Sequence, residues 1–337
     1  MDIKNTLFTL SNAVSCGTVT EARDIAFDIL SKYADCKKTS NLTVIGTVKG
    51  ADSSRKIMLD AHIDEVSMIV TSVSEDGFLT VSKCGGIDLR TLPAQRVTIH
   101  GKEQVHGVFC STPPHLSQGE TKFENIADFK IDTMLGARAC DLISAGDYVT
   151  FYSDAKPLLN NRVTGKSFDD RAGVVCLLEL AERFAANPPP FDVVFVLSDG
   201  EELGLRGSRT ATFDVSPDEA IAIDVSFGNA PDVSPDDCGK LSDGAMIGFS
   251  PVLDSGISKK LVRIAQENGI PYQSEVMGRS TGTNGDVISI SKSGVKTGLV
   301  SIPLRNMHTP AEVIDLDDIK SVCDLIEKYI FSGGADL

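Results

Sequence analysis

Apolar positions along the chain follow two rhythms, and the rhythm changes twice. VTEARDIAFDILSKYAD (19–35) carries apolar residues at helical spacing, with Glu21 in the first turn. NLTVIGTVKG and KIMLDAHID then read as strands, the second almost wholly apolar until it meets charge. From about residue 67 the texture becomes short β-like runs, VSMIVTSVSEDGFLTVSKCGG, AQRVTIHGKEQVHGVFCS and AGDYVTFYSD. Turn sequences Glu-Asp-Gly, His-Gly-Lys and Ala-Gly-Asp break them. After NNRVTGKSFDDRAG the longer alternation returns. DRAGVVCLLELAERFAAN predicts an amphipathic helix ended by the prolines at 188–190. FDVVFVLSD (191–199), AIAIDVS (220–226) and KTGLVSIPL (296–304) predict buried strands; ISKKLVRIAQENG (257–269) and DLDDIKSVCDLIEKYIF (315–331) predict helices. Helices alternating with strands too apolar to be half exposed imply an α/β sheet covered on both faces. Residues 67–161 are therefore expected to be a β-rich domain inserted into an α/β domain built from 1–66 and 162–337.

Composition narrows the function. A chain of 337 residues with 42% apolar content can bury a substantial core. Its 47 acidic against 32 basic side chains give a formal charge of −15, a field that repels phosphate backbones and argues against nucleic acid as a partner. Bound cations would offset part of that excess. The eight cysteines form no CxxC pair, and contexts such as GVVCLLEL around Cys176 and HGVFCS around Cys110 suggest buried free thiols rather than a disulfide framework. No stretch approaches the roughly 20 apolar residues of a membrane span, and no secretory signal is visible, so the expectation is a soluble cytoplasmic protein.

In a doubly covered sheet, ligands bind beyond the carboxyl ends of the strands. The polar residues that follow the apolar runs are His62 and Asp64, Asp169 and Asp170, Glu201 and Glu202, Asp224 and His308. Singly, each has a plainer reading: a surface His-x-Asp pair, a helix cap at Asp169 or Asp170, a solvated turn, a strand end. His100, His106 and His115 lie in the β module and are read only as structural. Five separate rim positions that supply two imidazoles and several carboxylates form a different pattern, because an uncompensated cluster of that kind would be costly. Oxygen and imidazole donors without thiolate suit zinc, or cobalt or manganese. The inventory serves two divalent ions about 3.5–4 Å apart: His62 and Asp224 for one, Glu202 and His308 for the other, Asp169 bridging. Asp64 is placed to take the far ring N–H of His62. Glu201 remains as a free carboxylate, the natural general base.

DAHIDEV, FDDRAG, EELGLRGS, AIDVS and SIPLRNMHTPAEVIDLDDI occur in the order found in the glutamyl aminopeptidase/endoglucanase metallopeptidase family, best known from its tetrahedral (TET) aminopeptidases. The chain resembles that family over nearly its whole length, STPPHL and ISAGDYVTF of the β module included. The resemblance implies a zinc-peptidase-like α/β/α sandwich with an inserted small β-barrel-like domain involved in assembly. It also implies hollow dodecamers built from dimers, and the same metal and base residues. Gly200, Asn284, Asn306 and Ser67 depart from the family's common residues without removing a proposed ligand. The expected activity is dinuclear metal-dependent removal of N-terminal residues from short peptides. A carboxypeptidase, dipeptidase or amide deacylase could use the same metals. An endoglucanase, which has no use for the two rim histidines, and a non-catalytic scaffold are the remaining alternatives.

Overall fold

The computed structural model describes residues 1–113, 115–116, 125–231 and 233–335; Pro114 of the STPPHL run lies outside the described residues. The chain opens with helices α1 (Ile3–Asn12) and α2 (Glu21–Leu30), then strands β1 (Asp35–Lys38), β2 (Val44–Val48) and β3 (Asp52–His62). Six strands follow: β4 (Ser67–Val73), β5 (Phe78–Cys84), β6 (Arg96–His100), β7 (Gln104–Phe109), β8 (Ile131–Asp132) and β9 (Tyr148–Phe151), with a short helix α3 (Ala139–Leu142). Next come β10 (Lys156–Pro157), β11 (Arg162–Gly165), α4 (Phe168–Ala186), β12 (Phe191–Ser198), α5 (Arg206–Val215) and β13 (Glu219–Phe227). The last third holds β14 (Ala245–Phe249), α6 (Ser255–Asn268), β15 (Tyr272–Val276), α7 (Gly285–Ser289), β16 (Lys296–Leu304), β17 (Glu312–Asp315) and α8 (Leu316–Phe331).

Eight strands form one mixed sheet in the order β1-β2-β12-β3-β13-β16-β14-β15. Its centre is parallel: β12 pairs with β3, β3 with β13 and β13 with β16. The near-continuous apolar runs are explained by burial on both faces. In β3, Ile57, Leu59 and Ala61 join the core beneath α4 and α8, while Met58 joins the opposite core with Ala211 of α5 and Ile288 of α7. Successive side chains of a strand point to opposite faces, so a strand between two helical layers is apolar on both faces apart from the few polar positions that find buried partners, such as Asp60 and Ser198. Every residue of β12 is buried. Each fully buried Val, Leu or Phe contributes about 1.5–3 kcal/mol over the exposed state.

The six strands from Ser67 to Phe151 close into a barrel, β4-β5-β8-β7-β6-β9, around a core of its own that includes Met68, Leu79, Ile99, Phe109 and Val149. A smaller sheet, β10-β11-β17, lies against the α/β part. All eight cysteines are free; Cys16, Cys176 and Cys323 are buried. Cys110, read from its apolar context as buried, is exposed, because it stands one residue past the end of β7. No described helix is long and apolar enough to cross a membrane.

Because β3, β12, β13 and β16 run in parallel, their carboxyl ends meet along one edge. His62 closes β3, the Glu201–Glu202 turn follows β12, Asp224 lies near the end of β13, and His308 follows β16.

Candidate metal centre

Asp169 stands at the start of α4, before the helical geometry is established, and is joined to Asp170 by a cis peptide bond. Its two carboxylate oxygens face different imidazoles. Oδ1 is 3.0 Å from His62 Nε2, and Oδ2 is 3.1 Å from His308 Nε2. Asp224 Oδ1 lies 4.0 Å from His62 Nε2, and Glu202 Oε1 lies 3.3 Å from His308 Nε2. The donor atoms of His62, Asp169 and Asp224 all fall within 4.8 Å of one another, as do those of Asp169, Glu202 and His308. Those of His62, Glu201 and Glu202 form a third such group. The structure thus brings together His62, Asp169, Glu201, Glu202, Asp224 and His308, all around one cavity.

The second ring nitrogen of each histidine is tied down. His308 Nδ1 is 2.6 Å from the carbonyl oxygen of Gly86, just past β5 of the barrel. His62 Nδ1 lies 3.2 Å from the main-chain carbonyl of Asp64 and 3.5 Å from its carboxylate. The Asp64 carboxylate also reaches the next turn: its two oxygens accept the backbone N–H of Glu201 at 3.1 Å and of Glu202 at 3.3 Å. Asp64 therefore grips the glutamate turn with its side chain while its main chain orients His62. Asp170 accepts from the backbone N–H of Gly173 and so takes the capping role.

Glu312 has no signal in the sequence pattern, yet it holds the site. Its Oε2 accepts from the N–H of Phe168 at 2.6 Å and of Asp169 at 3.3 Å, and its Oε1 accepts from the N–H of His308 at 2.9 Å. One carboxyl group thereby fixes the main chain at two of the clustered residues. Several non-glycine residues in the segments that carry the site take the left-handed conformation, as others do elsewhere in the chain. Ser167, Leu205, Asn306 and His308 all adopt positive φ, between 57° and 61°, a conformation that costs roughly 1–3 kcal/mol in a non-glycine residue and persists only where its surroundings impose it.

The electrostatics are those of crowded anions. Burial pushes the Glu201 carboxyl up to about 8; His62 pulls it down, and Glu202, Asp64 and Asp169 push it further up. Burial and the charge of Asp169 likewise raise Glu202, against the pull of His308, and Asp224 is driven well above the usual carboxylate range by its burial. Burial alone would lower both imidazoles, but hydrogen bonds to carboxylates overcome it. His308 is pushed up to about 11 by Asp169 and Glu202, and His62 well above its ordinary value by Asp169 and Asp64. Asp169 is drawn down by the two imidazoles despite its burial. A cluster that can hold its charge only by protonating its histidines and some of its acids is one that divalent cations would relieve.

The M42 glutamyl aminopeptidase family model matches residues 43–325. The chain belongs to that family. Membership makes it a hydrolase of the metal-dependent aminopeptidase type. A lysyl aminopeptidase of Pyrococcus furiosus is 33% identical over 325 residues, covering 91% of this chain and 90% of the relative. An aminopeptidase from the archaeon Desulfurococcus kamchatkensis superposes with a TM-score of 0.91 at 30% identity, over 98% of this chain and 94% of its own. The Pyrococcus horikoshii TET1 peptidase, described as assembling into a tetrahedron or a large octahedral shell, gives 0.87 at 27% identity over 98% and 99%. The zinc-peptidase-like α/β/α sandwich with its inserted barrel is thus the fold of the TET aminopeptidases.

The donor set fits a pair of divalent ions. Each half of the site offers one imidazole, one carboxylate of its own and one oxygen of the shared Asp169, with no thiolate among them.

Proposed function

We propose that this chain is a dinuclear aminopeptidase of short peptides, with His62 and Asp224 holding one ion, Glu202 and His308 the other, and Asp169 both. The orientation of Asp169, one oxygen toward each imidazole, is the observation that carries this reading. Zinc suits the donors best, and cobalt or manganese would also be accepted. When bound, such ions polarise a carbonyl and acidify a water. Glu201 does the proton work. It sits beside the cluster with its main chain held by Asp64 and lines the same cavity, the one carboxylate the proposed ligand set leaves free to act as a general base. It accepts the proton of the attacking water and delivers it to the departing amine. Asp64 and Glu312 act by position, the first on the glutamate turn and the second on Asp169 and His308.

The relatives' names support an N-terminal exopeptidase over a carboxypeptidase, a dipeptidase or a deacylase. The barrel region within residues 67–161 is assigned to homo-oligomer assembly, and the compartment to the cytoplasm. Glu201→Gln preserves shape and removes the base. The variant should fold, bind both ions by elemental analysis, and lose about 10²–10⁴ of the rate. Chelation should silence the wild type and added zinc or cobalt restore it. Full activity in the variant would remove Glu201 from this role, and equal cleavage of N-acetylated peptides would remove the aminopeptidase reading.

A further inference from the structure

The cavity at the metal cluster, about 540 Å³, extends well past the clustered residues. Strand pairing shows where it leads. Ser301 of β16 stands directly opposite Asp224 of β13, and Ser226 lies two residues further along the same face of β13. Both hydroxyls donate to a carboxylate that the proposed reaction does not use. Ser301 Oγ is 2.9 Å from Glu275 Oε2, and Ser226 Oγ bonds Glu275 Oε1. Glu275 comes from β15, at the far edge of the sheet, and its acid group lines the cavity beyond Asp224. On that face the cavity is lined by the aliphatic or thioether side chains of Met246, Met277 and Leu299. Asp236 and Asp237 add acid to the same lining, and no lysine or arginine lines it among the described residues.

We propose that Glu275 is the specificity-determining residue of the pocket that receives the substrate's N-terminal side chain, and that it selects lysine or arginine there and rejects glutamate and aspartate. The proposal rests on the aminopeptidase reading and gives that reading a substrate class. A carboxylate offers about four acceptor positions, and the two serine hydroxyls leave room for a cation. The long stem of lysine or arginine suits apolar walls with a charged end. Burial pushes the Glu275 carboxyl up, because no cation pairs with it among the described residues; an incoming ammonium or guanidinium supplies that partner. An N-terminal glutamate, the residue in the family's description, would instead face Glu275, Asp236 and Asp237 with no cation to receive it. A leucine would fill the walls and leave the half-buried Glu275 carboxylate as uncompensated as before.

The test uses the full-length, metal-loaded protein and the free-amine p-nitroanilides of lysine, arginine, leucine and glutamate. The kcat/KM for lysine and arginine should exceed that for leucine by about 30-fold or more, the scale of a buried charge pair made or lost, with glutamate lowest. Glu275→Gln should lower the lysine and arginine values relative to leucine, so that the lysine-to-leucine ratio falls by that factor. A Glu275 that merely tied β15 to its neighbours would, when changed, lower all four together, and an unchanged lysine-to-leucine ratio overturns the assignment. Should the glutamine variant fail to fold, Glu275→Asp keeps the charge and must keep the preference. Wild-type cleavage of leucine or glutamate as fast as lysine overturns the proposal while leaving the aminopeptidase intact. No turnover of any of the four overturns both.

Discussion

Two adjacent glutamates with different partners are the simplest feature of the site at the scale of single residues. Glu202 turns to His308, while Glu201 is fixed through its main chain by Asp64 and keeps its carboxyl beside the cluster. Both were legible, with His62, Asp224 and His308, because each stands at or just past the end of an apolar run that reaches the sheet's carboxyl edge, while Asp169 showed only as part of the acid pair that opens α4. Glu312 was not legible. Its partners are three backbone N–H groups, and backbone donors leave no residue type behind to be read. Removing a residue that orients metal ligands in this way typically costs about 10–100-fold in metal affinity or activity. Glu312→Ala should therefore weaken zinc binding, measured by titration calorimetry on the metal-free protein, without removing a single donor atom. Wild-type affinity in that variant would reduce Glu312 to a structural acid.

Between elements, the junction of β3, α4 and the segment after α1 is held by a buried ionic knot. Glu65 takes the ammonium of Lys166 at 2.5 Å, the guanidinium of Arg171 at 2.8 Å, and the N–H of Ser15 at 3.1 Å. Burial would raise the Glu65 carboxyl, but the two cations bring it down to about 2, against an ordinary 4.5. Lys166 itself is lowered, since burial and the charge of Arg171 outweigh the help it receives from Glu65. A carboxylate depressed in the folded state adds stability that is complete above its unfolded value and fades as pH falls through its folded one. The Glu65 contribution, about 3 kcal/mol by linkage, should thus be full above an ordinary carboxyl value of 4.5 and disappear toward pH 2. Glu65→Gln should cost about 3–5 kcal/mol at neutral pH, and urea titrations should find the gap to wild type narrowing across that acid window. A pH-independent gap would mean that Glu65 is not ionised against these partners. Element positions were mostly legible: β12, β13, β16 and α8 fall within a residue or so of their sequence patterns. The edge strand β15, YQSEV, and the helix α5, RGSRTATFDV, were not. The first is too polar at an exposed edge, and the second is rich in glycine, threonine and serine, poor helix formers held in place by packing on β12.

The whole molecule carries a charge of −15 and yet presents large apolar side chains to solvent. Met134 is 87% exposed in the barrel region, and Leu159 86% exposed beyond it, with Leu158 beside it. On the other domain Phe213 of α5 and Ile290 just after α7 are 64% and 69% exposed, on helices that pack together. Scattered apolar residues on a surface need no explanation, whereas neighbouring ones on separate faces are what a subunit with several contacts presents. None of this was legible in the pattern, because an exposed leucine in a short run looks like any other strand position until the fold shows which side it faces. Net charge acts against association, so contacts that form must rest on desolvated apolar area and should strengthen as salt screens the repulsion. The intact metal-loaded protein should therefore run in light scattering at a multiple of its 35.9 kDa chain mass, a dodecamer if it follows the TET pattern, and hold that mass in added salt. Met134→Asp and Leu159→Asp should each shift the population toward smaller species while the metal content per chain stays constant, since neither side chain lies in the metal cluster. A wild-type protein that remains at the mass of one chain at micromolar concentration would reject assembly and leave these side chains as ordinary exposed apolar residues.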